Sequence, residues 1–303
     1  MDLKQLEYIV KISEEGNITK ASQKLFISQP ALNQQLLKLE NDLGVPLFNR
    51  NKNNLTLTYA GEIYIENANK ILNIKKDTYK MISDISNSNK GKISVGFTPE
   101  RGSDMFSYIY PKFHKRYPNI SINPIENKSN DLENLVSNGT LDIAFTSLPN
   151  SSYSNNPKIH LLNEKLVLII SKNNHLCEEL LSSSYKDGFI DISLLKSENF
   201  IMLKKDSTLR EIIDDTLFKY NFHPNILLES SSTYTVTNMV KNNLGYSIVP
   251  FYYAKNNPDL MYFNLGSYPS WNIFASYKKN SYLSNSLQYL IDLTKEYLEN
   301  SYY

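Results

Sequence analysis

The sequence predicts an α/β protein in three parts: an N-terminal winged helix-turn-helix, one long helix, and a C-terminal α/β domain with two lobes. Three observations support this division. Short capped helices and a pair of alternating strands precede residue 60, an apolar repeat of three and four residues continues to residue 85, and strands alternate with helices from residue 91 onward. We place the three parts at residues 1–59, 60–89 and 90–303.

The composition is that of a globular protein. With 303 residues, 41% of them hydrophobic, the chain can form two or three compact units. The net charge is only +1, but residues 18–60 hold five basic and two acidic side chains, a local charge of +3. The single cysteine, Cys177, excludes an intrachain disulfide. No leader-like segment opens the chain and no apolar run is long enough to span a membrane, so we expect a cytoplasmic protein without a membrane partner.

Two helices are predicted before residue 26. Apolar residues recur on one helical face across residues 3–15, which indicates a first amphipathic helix. A turn at Gly16 follows, and a second, shorter helix then carries Ala21 and Leu25 on its inner face, with Thr19 as the candidate cap.

The third helix has clear start and stop signals. Ser28 is a suitable N-cap, and Pro30 fits the first turn because an N–H there would have no intrahelical partner. Gly44 can adopt the left-handed conformation that ends a helix, and Pro46 prevents its continuation. The apolar stripe of this helix is predicted from leucines at four-, three- and four-residue spacings, namely Leu32, Leu36, Leu39 and Leu43.

The opposite face of the third helix is polar. Such a face is consistent with a solvated surface, but a tight turn between two short helices is also typical of a helix-turn-helix, whose second helix enters the major groove. The strands that follow, around Leu55 and Leu57, would form a wing with two basic side chains. The predicted DNA-binding residues are Ser28, Gln29, Pro30, Asn33, Gln34, Lys38, Arg50 and Lys52.

These residues carry a family resemblance. Residues 6–62 resemble the winged helix-turn-helix of LysR-type transcriptional regulators, including "ASQKLFISQPAL" at residues 21–32 and "LGVPLFNR" at residues 43–50. The resemblance implies a sequence-specific DNA-binding regulator that recognises a promoter or operator in double-stranded DNA. It also implies control by a small-molecule effector and assembly as a homodimer or homotetramer, and it makes RNA polymerase a further candidate partner.

The long helix has a heptad pattern over more than three repeats. The stripe could pack against its own domain, but polar Asn67 and Thr78 are typical of a paired helix whose register needs polar markers. We favour a coiled coil, and in the resembled family this segment is the linker helix of a dimer. The predicted dimerisation residues are Tyr64, Asn67, Ile71, Ile74, Thr78, Met81 and Ile85.

The remainder alternates strands with helices, which predicts a parallel sheet whose ligands lie at the carboxyl ends of the strands. Two chain crossings, near residues 161–164 and 261–265, would divide it into two lobes. Lobe I comprises about residues 90–162 and 265–303, and lobe II about residues 163–264. The resemblance implies that this is a periplasmic-binding-protein-like effector domain with a cleft between the lobes.

Loops after the strands supply the candidate effector site. Arg101 offers a bidentate fork for a carboxylate, although it could instead pair with Glu100 or face solvent. Ser103 and Ser129 could equally be helix caps. We favour a small organic acid as the effector. The predicted effector-binding residues are Thr98, Glu100, Arg101, Ser103, Ser129, Thr146, Ser147, Lys204, Ser207 and Thr233.

There are two alternative functions for a two-lobed domain of this kind. It could belong to a metabolic enzyme or to a solute-binding protein. The sequence lacks a recognisable acid/base or nucleophile constellation, and its four histidines show no metal-ligand spacing. We therefore predict no enzymatic activity, no cofactor and no metal site. A transcriptional regulator remains the favoured function.

Overall fold

The structure, a computed structural model, describes residues 2–51, 54–86, 90–150, 154–183, 188–255, 257–266 and 269–302. The chain divides into two compact units. The first contains Met1–Ser88 with Asn280–Ser284, and the second contains Asn89–Lys279 with Asn285–Tyr303.

Three helices open the first unit: α1 (Leu3–Glu15), α2 (Ile18–Leu25) and α3 (Gln29–Leu43). Gly16 and Gly44 end α1 and α3 with positive φ angles of 58° and 71°, a conformation that costs glycine little. The N-cap of α2 is Asn17, whose side chain accepts a hydrogen bond from the backbone N–H of Lys20 at 3.0 Å. Asn17 therefore performs the capping role that the sequence had suggested for Thr19, which lies inside the helix.

The wing and the long helix follow. Strands β1 (Phe48–Asn51) and β2 (Asn54–Leu57) pair antiparallel. The long helix α4 (Tyr59–Ile85) begins at Thr58, whose hydroxyl accepts from the N–H of Gly61 and donates to the carbonyl of Pro46. The core of this unit joins the helices to the wing and contains Ile9, Ile12, Ala21, Leu32, Leu36, Leu39, Leu47 and Phe48.

The second unit contains nine described strands and seven described α-helices. The strands are β3 (Gly91–Phe97), β4 (Ile120–Glu126), β5 (Ile143–Leu148), β6 (Lys158–Ser171), β7 (Asn199–Leu203), β8 (Asn225–Ser230), β9 (Ser247–Pro250), β10 (Leu260–Asn264) and β11 (Ser270–Tyr277). The helices are α5 (Arg101–Arg116), α6 (Ser129–Ser137), α7 (Cys177–Ser183), α8 (Thr208–Lys219), α9 (Thr233–Lys241), α10 (Phe251–Lys255) and α11 (Asn285–Tyr302).

Strand β6 belongs to both lobes. Seven strands form a sheet in the order β10-β6-β11-β5-β3-β4, with β9 also paired to β6. Residues 158–165 of β6 pair with β11, whereas residues 166–171 pair with β9 and β10. The chain thus passes from lobe I to lobe II inside one continuous strand. Lobe II adds a separate parallel pair, β7 and β8.

The sheet is mixed rather than wholly parallel as the sequence had suggested. Strands β3, β4 and β5 are parallel, but β11 returns antiparallel between β5 and β6. Helical periodicity between strands predicts the β-α-β units, but it gives no information on the direction of a strand that returns from the other lobe.

Several predicted loops are instead the first turns of helices. Helix α5 starts at Arg101 and continues through Pro111, so that Arg101 and Ser103 are helical. Ser129 and Thr233 are the first residues of α6 and α9, while Thr146 and Ser147 lie within β5. The physical reason is that the strand-to-helix connections are short, which places the helix N-termini directly beside the strand ends.

Candidate DNA-binding surface and effector cleft

Helix α3 is anchored by one face and exposes the other. Leu32 and Leu36 are fully buried, and the Ser28 hydroxyl accepts from the N–H of Ala31 at 3.4 Å. The polar residues opposite are exposed, except that Asn33 is half-buried. The exposed members of the predicted set are Ser28, Gln29, Pro30, Gln34 and Lys38.

Lys38 lies on one flank of that face. Together with Gln35 and Asp42 it lines a polar groove of about 380 Å³ against the start of α1. Gln34, one turn before Lys38, does not line this groove. The two side chains therefore differ in their surroundings although they belong to one exposed face.

Glu40 positions the wing against α3. One of its carboxylate oxygens accepts hydrogen bonds from the N–H groups of Leu47 at 2.8 Å and Phe48 at 3.2 Å. These bonds connect the C-terminal half of α3 to the first wing strand. Of the two basic residues predicted for the wing, Arg50 lies in β1, and Lys52 lies outside the described residues.

Phe26 is a candidate DNA contact that was not predicted from the sequence. Its side chain is 94% exposed, and its φ of 55° lies in the left-handed region at the end of α2. A phenylalanine held in solvent at the turn before α3 could contact a thymine methyl group. Its position directly after Leu25, outside the apolar repeat, was the signal that could have identified it.

Helix α4 divides the predicted dimerisation residues into two groups. Tyr64 and Ile71 pack against Leu6, Val10 and Ala68 inside the first unit. The other five are exposed, and the apolar members among them, Ile74, Met81 and Ile85, are 67%, 44% and 83% exposed. Asn67 and Thr78 hydrogen-bond the carbonyls of Ile63 and Ile74 one turn earlier. Ile63, 47% exposed, extends the open face toward the start of the helix.

A cavity of about 380 Å³ lies between the two lobes of the second unit. Seven of the ten predicted effector residues line it: Thr98, Glu100, Arg101, Ser129, Ser147, Ser207 and Thr233. Several other lining residues were not predicted from the sequence, among them Lys128, Asp206, Tyr253 and Trp271. The residues come from both lobes because the ends of β3, β5, β7 and β8 and the helices after them meet there.

Three predicted residues do not line this cavity. Ser103 is half-buried and donates a hydrogen bond to Glu126. Thr146 is buried in β5, where its hydroxyl donates to Glu133 at 3.0 Å. Lys204 is exposed, and its backbone N–H donates to the carbonyl of Ser230.

Four helices begin at the cavity wall. The first residues of α5, α6, α8 and α9 all line it. The N-termini of α5, α6 and α8 have no side-chain cap, whereas Ser232 caps α9. The first N–H groups of a helix lack intrahelical acceptors and carry a partial positive charge. The cavity wall therefore includes several helix starts, whose backbone N–H groups favour an anion.

Arg101 forms a buried ion pair with Glu164. The carboxylate of Glu164 is fully buried and also accepts from the indole N–H of Trp271 at 2.8 Å and the backbone N–H of Tyr252 at 3.1 Å. The Arg101 guanidinium lies 4.6 Å from the centre of the Tyr252 ring. Of the alternatives considered for Arg101, neither a pair with Glu100 nor exposure to solvent occurs.

Glu100 crosses from lobe I to the start of α9 in lobe II. Its carboxylate accepts hydrogen bonds from the backbone N–H groups of Thr233 at 3.2 Å and Tyr234 at 3.4 Å, and from the hydroxyl of Tyr253 at 3.2 Å. A second bridge between the lobes joins Lys128 to Asp206 at 2.5 Å. The four charged residues that line the cavity, Glu100, Arg101, Lys128 and Asp206, sum to zero.

Further hydrogen bonds between α5 and lobe II, made by tyrosines and one carboxylate, lie outside the cavity. Asp104, one turn after Glu100 on α5, accepts hydrogen bonds from the hydroxyls of Tyr234 and, at 3.0 Å, Tyr252. Burial, with the nearby Asp104 carboxylate, raises the pKa of Tyr234 to about 12. Burial raises the pKa of Tyr252 as well. Both hydroxyls therefore keep their protons and act as donors at neutral pH.

The described residues contain no group of three or more histidine, cysteine or acidic side chains that could hold a metal ion. A membrane-spanning helix, long and apolar enough to cross a bilayer, is likewise absent from the described parts of the chain.

Comparisons with known proteins cover both units. A model of the LysR substrate binding domain matches residues 86–299, and a model of the bacterial regulatory helix-turn-helix protein of the lysR family matches residues 3–62. The uncharacterized HTH-type transcriptional regulator YcgK of Bacillus subtilis (strain 168) is 29% identical over 315 residues, which span 100% of this chain and 96% of the relative. The Hca operon transcriptional activator HcaR of Escherichia coli (strain K12) is 27% identical and covers 98% of each chain.

Solved structures share the fold along the whole chain. A full-length OxyR variant from Pseudomonas aeruginosa has a TM-score of 0.74 at 23% identity, covering 97% of this chain and 95% of that one. CbnR in complex with its target DNA has a TM-score of 0.57 at 19% identity, covering 98% and 99%. The predicted fold class is confirmed, and these relatives are regulators rather than enzymes. Because the substrate-binding-domain model alone covers more than half of the sequence, this chain belongs to the LysR family of transcriptional regulators.

Proposed function

We propose that this regulator reads its operator through α3 and the wing, and that a small organic acid bound in the cleft between the lobes controls it. The family supplies the general function of a DNA-binding regulator with an effector domain. The chemical class of the effector and the residues that contact it are our proposal. Since a regulator of transcription acts on DNA, we also propose a cytoplasmic location.

The convergence of four helix N-termini on one cavity is the observation that carries the organic-acid proposal. Helix N-termini bind carboxylates and phosphates through their first N–H groups and the helix dipole. Hydroxyls of Thr98 and Ser207 line the same wall and can donate hydrogen bonds. A volume of about 380 Å³ suits a small metabolite.

In this proposal, Arg101 is not a free guanidinium that binds the ligand carboxylate in a bidentate way. Its charge is already compensated by the buried Glu164 carboxylate. We infer that backbone N–H groups and hydroxyls supply the attraction for an anion, while Arg101 and Glu164 keep the wall of the cavity in place. Removal of Arg101 would leave a buried carboxylate without its partner, which is costly.

Exposed apolar surfaces support assembly of several copies. The open face of α4 carries Ile74, Met81 and Ile85, and strand β8 exposes Ile226, Leu227 and Leu228 at 39%, 54% and 39%. Apolar patches of this kind mark interaction sites. We propose that α4 pairs with a second copy and that the effector domains join dimers into a tetramer.

The effector proposal is tested by thermal-shift screening and calorimetry on the full-length protein. A panel of metabolite carboxylates is compared with the corresponding neutral amides at constant ionic strength. We expect carboxylates to bind and their amides not to bind. Thr98→Val and Ser207→Ala should weaken that binding by about 1 kcal/mol each, roughly fivefold.

Ser121→Ala is the matched control, because Ser121 is an exposed serine outside the cavity. A carboxylate that binds should also change the protection pattern in footprinting of the DNA upstream of the protein's own gene. A screen that returns only neutral ligands would reject the organic-acid proposal.

A further inference from the structure

We propose that the N-terminus of α9 is a carboxylate-binding site and that the side-chain carboxylate of Glu100, tethered to the site by its own chain, occupies it. A carboxylate ligand of the cleft then binds there by displacing Glu100. The inference rests on the proposed function for the class of the natural ligand. The site itself is argued from the contacts of Glu100 and can be tested with acetate alone.

Each of the first three backbone N–H groups of α9 has a hydrogen-bond acceptor. The backbone N–H groups of Thr233 and Tyr234 donate to the Glu100 carboxylate, at 3.2 and 3.4 Å. The N–H of Thr235 donates to the Ser232 hydroxyl at 3.0 Å. Among the described residues, only Glu100 reaches these N–H groups from outside the helix and its cap, and it is 133 residues away from Thr233 in the sequence. The two N–H groups it binds are those that a carboxylate ligand would use.

Tyr253 completes the site. Its hydroxyl donates to the same Glu100 oxygen that accepts from Thr233, at 3.2 Å. Burial, reinforced by the charge of Glu100, raises the pKa of Tyr253 well above its ordinary value, so the hydroxyl remains a donor. Two backbone donors and one side-chain donor thus converge on one carboxylate.

The backbone of Glu100 is strained in the conformation that delivers this carboxylate. Its φ of 62° and ψ of −99° are unusual for a residue with a side chain. Such conformations persist when surrounding contacts compensate for them. Glycine adopts positive φ at much lower cost, so Glu100→Gly removes the carboxylate and relieves the strain in one change.

Arg101 provides a second, independent indication of a ligand. Its side chain is 8% exposed and lines the same cavity, and its Nε is buried without a hydrogen-bond acceptor among the described residues. A buried guanidinium N–H without an acceptor is costly. A carboxylate held at the start of α9 would bring an acceptor into the cavity that Arg101 lines.

Displacement would also change the contacts between the lobes. Glu100 belongs to lobe I, whereas Thr233, Tyr234 and Tyr253 belong to lobe II. A free carboxylate in the same position satisfies the donors of lobe II without connecting them to lobe I. Binding would therefore exchange a contact between the lobes for a contact with the ligand.

The test measures the thermal midpoint of the full-length protein in sodium acetate, sodium chloride and acetamide, with the sodium concentration matched between the two salts. Four proteins are compared with wild type: Glu100→Gly, Glu100→Ala, Glu100→Gln and the control Glu296→Ala. Glu296 is an exposed carboxylate that pairs with Lys112 away from the cavity. We expect acetate at about 100 mM to raise the midpoint of Glu100→Gly and Glu100→Ala by about 3 °C relative to chloride. Wild type, the control and all samples in acetamide should not show this increase.

Glu100→Gln keeps the shape of the side chain and is the variant best suited to fold normally. Its neutral amide should be easier to displace than a carboxylate, so its response to acetate should lie between those of wild type and Glu100→Gly. An equal response of all five proteins to acetate, or no response of any folded Glu100 variant, would overturn the proposal. Because acetate is the probe, this outcome does not depend on whether a metabolite carboxylate is found to be the effector.

Discussion

Gln34 and Lys38 lie one turn apart on the exposed face of α3, yet we expect them to contact different parts of the DNA. A glutamine amide can form a bidentate pair with adenine, whereas a lysine ammonium neutralises a phosphate. Gln34→Ala should therefore weaken binding to the operator by about 1–3 kcal/mol and leave binding to random DNA nearly unchanged. Lys38→Ala should weaken binding to both DNAs equally and reduce the salt dependence by about one unit of slope.

Fluorescence anisotropy with operator and scrambled duplexes at several salt concentrations measures both effects. Lys295→Ala is the matched control, because Lys295 is exposed on α11 in the second unit. If both variants weaken operator and scrambled DNA by the same factor, Gln34 does not read sequence.

Glu133 is buried in lobe I and holds a polar network. Its carboxylate accepts hydrogen bonds from Ser276 at 2.6 Å and Asn156 at 2.9 Å, and Lys158 lies 3.9 Å away. Burial alone would raise the pKa of Glu133, but the hydrogen bonds, led by that from Ser154, outweigh it and lower the pKa below its ordinary value. The carboxylate therefore stabilises the fold above the unfolded pKa, and this stabilisation is lost as the pH falls through the lower folded pKa.

We predict that Glu133→Gln lowers the free energy of unfolding by about 3 kcal/mol at pH 7, because the donors around it lose a charged acceptor. The loss should shrink as the pH is lowered below about 4. Urea unfolding followed by fluorescence of Trp271, the single tryptophan, reports on the unit that contains Glu133. A difference between variant and wild type that is independent of pH from 7 to 3 would contradict this account.

At the scale of elements, the start of α4 is packed directly against the wing. A Cβ added at Gly61 would lie 2.1 Å from the carbonyl oxygen of Leu47, which immediately precedes β1. Because that oxygen also accepts from the N–H of Thr58 at 3.0 Å, it cannot move without disturbing the connection between wing and helix. Close approach, rather than an unusual φ, explains the glycine here.

Gly61→Ala should destabilise the DNA-binding unit by about 1–3 kcal/mol and weaken operator binding. Thermal unfolding and anisotropy measure the two effects, and the urea transition reported by Trp271 in the other unit should not change. Glu66→Ala, on the exposed side of the same helix, is the control. A Gly61→Ala protein as stable as the control would show that the helix and the wing can separate without cost.

The sequence predicted elements well where their signals are local. The cap at Ser28 and the glycine stops at Gly16 and Gly44 act over three or four residues, so the end of α1 and both bounds of α3 could be predicted closely. The cap of α2 was misplaced because Asn17 and Thr19 are both good caps two residues apart.

At the scale of the whole molecule, the open face of α4 is expected to assemble copies of the chain. Ile74→Lys combined with Met81→Lys should give folded monomers that lose operator binding, because both residues are exposed and charge would prevent an apolar pairing. Ile71→Lys is a contrasting variant. Since Ile71 packs against the first unit, we expect it to lower stability instead.

Size-exclusion chromatography with light scattering at micromolar concentration measures the assembly. Circular dichroism checks that the double variant is folded. A wild-type chain that is monomeric under these conditions, or a double variant that still assembles, would exclude α4 as the dimerisation helix.

The contacts that build the cleft could not be predicted from the sequence, because they join residues that are far apart in the chain. Arg101 and Glu164 are 63 residues apart, and Lys128 and Asp206 are 78 apart. Helical and strand periodicity indicate which face of an element is buried, but not which distant charge lies opposite. Seven residues of the cavity were predicted because ligands of α/β domains bind at the carboxyl ends of strands. Tyr253 and Trp271 were not predicted, because aromatic residues in a sequence are usually interpreted as residues of the hydrophobic core.

The bridge from Glu100 to α9 has a consequence for the dose response of the regulator. A carboxylate on a short tether competes at an effective concentration of millimolar order, however little ligand is present. A ligand that must displace it meets a threshold, and trace amounts leave the bridge intact. The strength of that one internal contact would then set the metabolite level at which the gene is switched, and substitutions at position 100 would shift that level without altering either the operator or the ligand.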